Sequence, residues 1–168
     1  MRTLKQRTGG AQPIDSADAA FARALRYLGY RARSGAEVKN YLHQRGGTDA
    51  VVDAAIDKLR GFNFSDDETF ARNWALSRAQ NQGYGPGKIE QELRTKGVAD
   101  GQIDAVVKEI FASENEEARA RKVLQKKFGS ENFREPRALR RAVAFLERRG
   151  YSSKVIFTLL RCPIDDNC

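Results

Sequence analysis

The chain has 168 residues, 40% of them hydrophobic, and its 30 Lys and Arg against 22 Asp and Glu give a formal charge of +8. That length holds one ordinary domain or a short array of small units, and the apolar fraction is too high for a disordered basic tail. No apolar run approaches the roughly 18 residues a membrane helix needs. Two cysteines in the last seven residues make no disulfide framework, and one histidine leaves a Cys/His zinc site short of ligands.

In chain order, residues 1–16 contain no apolar segment of the signal-peptide kind and are expected to be a flexible tail on a cytoplasmic protein. A first unit over 17–63 opens with Phe21, Ala24, Leu25 and Leu28 at helical spacing. Ser34-x-x-Glu37 then has the pattern of a capping box, in which hydroxyl and carboxylate each satisfy a backbone donor. Val52, Ala55, Ile56 and Leu59 put one apolar stripe on a last helix. A second unit over 66–112 begins at Ser65-x-x-Glu68 and carries Phe70 and Trp74 on its first helix. Pro86 suits the first turn of its second helix, and Ile103, Val106, Val107 and Ile110 make its last stripe. A third unit over 117–161 follows Ser113-x-x-Glu116, with Ala120, Val123 and Leu124, then Ile156, Leu159 and Leu160 before Pro163 stops the helix. Residues 162–168 are a short tail.

The three units are repeats of one another. Gly46, Gly97 and Gly150 are spaced by 51 and 53 residues, and each follows a base: Arg45, Lys96 and Arg149. Leu42, Leu93 and Leu146 stand four before the glycines, and Val52, Ile103 and Ile156 six after. The glycines suit the left-handed residue that ends a middle helix, and Asp49, Asp100 and Ser153 lie where each last helix starts. The fold expected is all-α: three tandem three-helix repeats forming an elongated, curved array, with one compact core as the alternative.

No catalytic chemistry is visible. Gly83-Tyr-Gly-Pro-Gly-Lys88 resembles a phosphate loop, but three residues separate Gly83 from Gly87 where a Walker loop has four, and Ile89 follows the lysine. Ser65-Asp66-Asp67-Glu68 reads as a helix start whose acids favour the dipole. His43 has no nucleophile pattern beside it. No catalytic residue, metal or cofactor is expected.

Charge placement is the informative feature. Residues 17–65 carry +3, residues 66–116 carry −4 and residues 117–161 carry +9. In the third unit Arg119, Lys122 and Lys126 fall at i, i+3, i+7 on the first helix, and Arg137, Arg140 and Arg141 open the second. Cations at a helix start oppose its dipole, so helix stability does not explain those arginines. Such bases can neutralise phosphates or pair with acidic protein surface. Tyr30, Tyr84, Tyr151, Phe128 and Phe133 could stack bases or seal junctions between units.

Several segments resemble a known family. Gly83-Tyr84-Gly85-Pro86, Ile89, Glu92-Leu93 and Lys96-Gly97-Val98 are similar to the most distinctive motif of the RecX regulatory proteins. Gly61-Phe62, Asp66-Asp67, Phe70-Ala71-Arg72 and Ser77-Arg78 resemble the segment before it. Arg31-x-Arg33-Ser34 with Glu37 and Leu42 resembles the first-unit pattern, and Lys127-Phe128-Gly129, Phe145-Leu146 and Arg149-Gly150-Tyr151 resemble the third. The likeness covers roughly 17–160, departing at Val38 and at Asn63-Phe64. It implies tandem three-helix repeats that lodge in the groove of the RecA filament and inhibit RecA's ATPase, strand-exchange and co-protease activities, with no catalytic residues and some affinity for DNA. On the charge placement, the contact candidates are Arg119, Lys122, Lys126, Arg137, Arg140 and Arg141, with Arg33, Arg78 and Lys96 as motif-associated secondary candidates. The partners are then the RecA filament and DNA, single- or double-stranded, with no membrane and a monomeric chain. Two other readings stay open: a freestanding DNA-binding protein whose units act as helix-turn-helix readers, and a helical-repeat scaffold for another acidic protein.

Overall fold

A computed structural model describes residues 14–62, 64, 66–113, 115–129 and 133–160. Among them every regular element is helical. The helices are α1 (Ala17–Leu28), α2 (Gly35–Gln44), α3 (Asp49–Gly61), α4 (Asp67–Ser77), α5 (Pro86–Thr95), α6 (Asp100–Ser113), α7 (Glu116–Phe128), α8 (Pro136–Arg148) and α9 (Ser153–Leu160). A π-helical turn, Arg78–Gln82, prolongs α4. No described helix is long and apolar enough to cross a membrane. The chain divides into two compact units, residues 1–66 and residues 67–168.

In the first unit, α1 packs across α3 and α2 closes the third side. The core joins Ala20 and Ala24 of α1, Val38 and Leu42 of α2, and Val52, Ala55, Ile56 and Leu59 of α3. Ile14, from the segment expected as a tail, is also buried there, so this core begins upstream of residue 17. Ser34 is fully buried and completes the capping box: its Oγ accepts from the Glu37 N–H at 3.1 Å, and Glu37 Oε2 accepts from the Ser34 N–H at 3.2 Å. Gly46 sits at φ 88°, the left-handed residue that lets α2 turn into α3. That glycine's N–H donates to the His43 carbonyl, and the N–H of Gly47 to the Leu42 carbonyl.

Two exposed ion pairs tie this bundle: Lys58 to Asp18 at 2.6 Å and Lys39 to Asp53 at 2.7 Å. The Lys58 ammonium, by hydrogen bond first and charge second, holds the Asp18 carboxyl below the usual carboxylate range, and Lys39 does the same to Asp53. A carboxyl lowered on folding stabilises above its unfolded pKa, about 4, and loses that contribution as pH falls through the folded value. The wild-type chain should therefore be more stable than Asp18→Asn/Asp53→Asn in urea melts at neutral pH. That advantage should fade as pH falls below about 4 and through the lowered folded values of the two carboxyls, and it should shrink with added salt, since exposed pairs are screened.

The second unit holds two further three-helix bundles, each with its own core. One buries Phe70, Ala71 and Ala75 of α4, Ile89 and Leu93 of α5, and Ile103, Val106, Val107 and Ile110 of α6. Arg72 on α4 clips it by pairing with Glu109 on α6 at 3.1 Å. The other buries Ala120 and Leu124 of α7, Ala142, Phe145 and Leu146 of α8, and Ile156 and Leu160 of α9. Gly97 (φ 74°) and Gly150 (φ 78°) turn these middle helices as Gly46 does. The aligned leucines Leu42, Leu93 and Leu146 are all fully buried. The three-unit, all-α expectation thus matches the observed bundles.

Helix starts refine the sequence reading. Asp49, Asp100 and Ser153 are the first residues inside α3, α6 and α9. Ser113, expected to cap α7, instead ends α6, and the Asn115 side chain caps α7 by accepting from the Glu117 N–H at 3.0 Å. Glu116, released from that box, accepts from the backbone N–H and the hydroxyl of Ser152 at 2.7 and 3.1 Å, anchoring the start of α9 to α7. The box proposed at Ser65, the stop at Pro163, residues 1–13 of the N-terminal tail and the whole tail at 162–168 lie outside the described residues.

Candidate functional site

The second and third repeats meet backbone to backbone. The N–H of Gly85 donates to the Arg149 carbonyl at 2.7 Å, and the N–H of Gly87 to the Gly150 carbonyl at 3.0 Å. A Cβ on Gly85 would lie 2.7 Å from the Gly150 oxygen, and one on Gly150 would lie 2.1 Å from the Lys88 nitrogen. Gly85 has an ordinary φ of −81°, so approach, not conformation, requires glycine there. The Gly-Tyr-Gly-Pro-Gly segment is a docking edge for the third repeat, not a phosphate loop. Pro86 starts α5 without losing a donor, leaving the flanking glycine amides to point across the joint.

The π-helical turn finishes that joint. The last carbonyls of a helix lack intrahelical donors and carry its negative pole. Here the Gln82 carbonyl accepts from Arg149 Nη1 at 2.8 Å, and the Gly83 carbonyl accepts from the Tyr151 hydroxyl at 3.2 Å. Arg149 and Tyr151, which flank the aligned Gly150, thus hold the end of the first helix of the preceding repeat.

Between this turn and α7 runs a groove of about 530 Å³, lined on one side by Ala79, Gln80, Asn81, Gln82 and Gly83 and on the other by Arg119, Lys122, Val123, Lys126, Lys127, Phe145 and Arg149. Five of these residues are basic and none is acidic. Lys122, Lys126 and Lys127 are exposed. Arg119 lies over Phe111 at 5.4 Å and Arg149 over Phe145 at 4.3 Å, so both guanidinium groups are steadied by aromatic faces.

The sequence candidates therefore separate into groups. Arg119, Lys122 and Lys126 come together on the groove. Arg137, Arg140 and Arg141 are exposed on α8 and are not among its lining residues. Arg33, in the first unit, is engaged in its own bundle: it donates to the Tyr27 carbonyl at 3.1 Å and lies 3.5 Å over the Tyr27 ring, which stacks on Tyr41 at 3.8 Å. Arg78 and Lys96 sandwich Trp74 at 4.1 and 4.2 Å, while Glu92 accepts from Trp74 Nε1 and Arg78 Nε. A shared rule emerges for the base before each aligned glycine. Arg45 sits over Tyr41, Lys96 over Trp74 and Arg149 over Phe145, each closing an aromatic face of its own repeat.

Lys127, Arg149 and the Gln80–Gln82 wall were not legible as site residues. Their signal was the pair of glycines around Pro86, which local backbone demands leave unexplained and which mark a close backbone approach.

Comparison with known proteins assigns the repeats. Family models match residues 20–59 as the first three-helix domain of RecX, 66–107 as the second and 114–160 as the third. The chain belongs to the RecX family of regulatory proteins. It is 35% identical over 150 residues to the regulatory protein RecX of Mycolicibacterium vanbaalenii, covering 85% of this chain and 81% of that protein. It is 36% identical over 151 residues to that of Corynebacterium efficiens, covering 86% and 71%. The crystal structure of RecX from Lactobacillus salivarius has the same fold, with a TM-score of 0.74 at 19% identity over 88% of this chain and 96% of that one. In RecX terms, the joint is built by the second and third domains, and the groove lies along it.

Proposed function

We propose that this chain binds the RecA–DNA filament and inhibits RecA's ATPase, recombination and co-protease activities, limiting or disassembling the filament. The observation that carries this reading is the match of all three repeats to RecX domains, together with a third repeat that concentrates the positive charge. The RecA filament is an acidic-surfaced assembly around a polyanion in this reading, and it is met by two basic surfaces. Arg137, Arg140 and Arg141 are exposed residues on α8, the Arg141 guanidinium lying 5.5 Å over the Phe128 ring, and the guanidinium fork suits bidentate pairing with carboxylates or phosphates. Arg119, Lys122 and Lys126 form the groove surface. Arg33, Arg78 and Lys96 support their aromatic partners and act through the shape of their repeats. Inhibition follows from occupancy: a body bound across moving subunits raises the free energy of any state in which those subunits shift. The chain acts as a cytoplasmic monomer in this account and needs no cofactor.

The test is the single-stranded-DNA-dependent ATPase of RecA, titrated with the full chain. A saturable fall in rate at micromolar or lower concentration is expected, and reversal of charge at Arg137, Arg140 and Arg141 should weaken it about tenfold or more, as removal of several charge-assisted hydrogen bonds does. An unchanged ATPase rate over that range contradicts the reading.

A further inference from the structure

The π-helical turn stands between two clusters, the joint with the third repeat and the cage of charged side chains around Trp74. We propose that it is a two-state coupling element. With the third repeat docked, the turn keeps its π register and the cage stays closed; release of the third repeat lets the turn take α register and opens the cage.

Nothing local asks for a π register. Arg78-Ala79-Gln80-Asn81-Gln82 contains no proline or glycine, and Ala, Arg and Gln are good α-helix formers. Such turns are rare and recur at functional sites. The third repeat supplies what the local sequence does not, by holding the end of the turn at three points. Arg149 Nη1 donates to the Gln82 carbonyl and the Tyr151 hydroxyl to the Gly83 carbonyl. Val123 presses on the turn as well, since a Cβ on Gly83 would lie 2.8 Å from its Cγ2.

Arg78 ties this end to the cage. Its carbonyl closes the turn by accepting from the N–H groups of Gly83 and Tyr84. Its guanidinium lies 4.1 Å over Trp74, where Lys96 also sits at 4.2 Å, and donates to Glu92 Oε2 at 2.8 Å. The same Glu92 oxygen accepts from Trp74 Nε1 at 2.9 Å, so one carboxylate holds both the ring and the guanidinium. The Arg78 and Glu92 side chains are mostly buried, which spares the pair the screening that weakens exposed ones.

Hydrogen-bond registers are discrete. In α register the Arg78 carbonyl would accept from Gln82, one residue earlier than Gly83, and the chain beyond would shift by about 1.5 Å, the rise of one residue. A shift of that size breaks the 2.7 Å bond from Gly85 to the Arg149 carbonyl. It also carries α5, which starts at Pro86 and bears Glu92, along α4, away from Trp74 and Arg78. Joint and cage are thus satisfied together or lost together, and positions between the two registers satisfy neither. A partner that grips one repeat is felt by the other.

The experiment pairs Trp74 emission with amide hydrogen exchange on the full chain. Trp74 is the sole tryptophan, so its emission reports the cage alone. Arg149→Leu/Tyr151→Phe removes both side-chain bonds to the turn and leaves every cage residue in place. It is expected to speed exchange at the Gly83 and Tyr84 amides about tenfold, the effect of two lost hydrogen bonds, and to red-shift Trp74 emission. Gly150→Ala, which parts the joint through the backbone, should produce the same red shift. Coupling is reciprocal, so Glu92→Gln in the cage should speed exchange at Gly85 and Gly87. Thr158→Val removes a third-repeat hydroxyl bond within α9, to the Lys154 carbonyl, and should leave these readouts at wild-type values.

The proposal is overturned if Gly85 and Gly87 exchange fast in the joint variants while Trp74 emission keeps its wild-type position, which would make joint and cage independent. It is overturned equally if Glu92→Gln leaves the Gly85 and Gly87 amides protected, if Thr158→Val shifts the emission as far, or if neither joint variant speeds exchange at those amides.

Discussion

Gly150→Ala is expected to destabilise the second unit by about 3–5 kcal/mol, whereas Gly46→Ala, at the aligned position of the first repeat, should cost only about 1–2 kcal/mol. Both glycines have left-handed backbones, φ 78° and 88°, so an L side chain meets the same conformational penalty at each, about 1–2 kcal/mol. Their surroundings differ. A Cβ at Gly46 meets nothing within 4 Å, while one at Gly150 overlaps the backbone nitrogen of Lys88 at 2.1 Å. Backbone cannot swing aside as a side chain can. Relief requires the repeats to part, which breaks the Gly85-to-Arg149 and Gly87-to-Gly150 hydrogen bonds, each worth about 0.5–1.5 kcal/mol. Arg149 and Tyr151 would lose their grip on the Gln82 and Gly83 carbonyls with them. Urea melts measure the totals, and hydrogen exchange at the Gly85 and Gly87 amides reports the joint directly: fast exchange in Gly150→Ala, protection retained in Gly46→Ala. Equal costs at the two sites would remove the joint as an energetic feature.

Leu93→Ala is the second large effect. Leu93 is fully buried in the last turn of α5 and packs in one cluster with Ile89, Ile103 and Val106. Truncating such a leucine removes its transfer free energy and leaves a cavity, together about 2–5 kcal/mol. The consequence reaches beyond its own bundle, because α5 begins at Pro86, inside the docking edge for the third repeat. A loosened α5 weakens the platform on which Arg149 and Gly150 sit. Urea unfolding should show the destabilisation, with increased amide exchange in α7–α9 as well as α4–α6. A change below about 1 kcal/mol, the scale of an ordinary surface substitution, would contradict the placement of Leu93 at the centre of this core.

Much of the bundle architecture was readable because it rests on two strong local signals. Apolar stripes at i, i+3, i+4 identify the buried faces of α3 and α6 residue by residue, and the glycines at 46, 97 and 150 mark left-handed turns that other residues adopt at a cost. Capping was less legible. Ser34 and Glu37 form the expected box, but Asn115 rather than Ser113 caps α7, because both have the right chemistry and only the length of α6 decides between them. The basic residues were the least legible of all. Arg119, Lys122 and Lys126 share a helix face that spacing reveals, yet Lys127 and Arg149 join them only through packing between repeats. Arg33, Arg78 and Lys96 are secondary candidates by their place in the motifs, and their guanidinium or ammonium groups turn out to cover Tyr27 and Trp74. Whether a cation faces a ring or a groove depends on tertiary neighbours, and no local pattern records those.

The most direct measurement of the central claim is the RecA ATPase on single-stranded DNA with increasing amounts of this chain, wild type beside the triple charge reversal at Arg137, Arg140 and Arg141. The account expects saturable inhibition by the wild type and a titration displaced to about tenfold higher concentration or more for the reversal. An ATPase rate that stays constant through micromolar wild-type chain, or identical titrations for the two proteins, would contradict it.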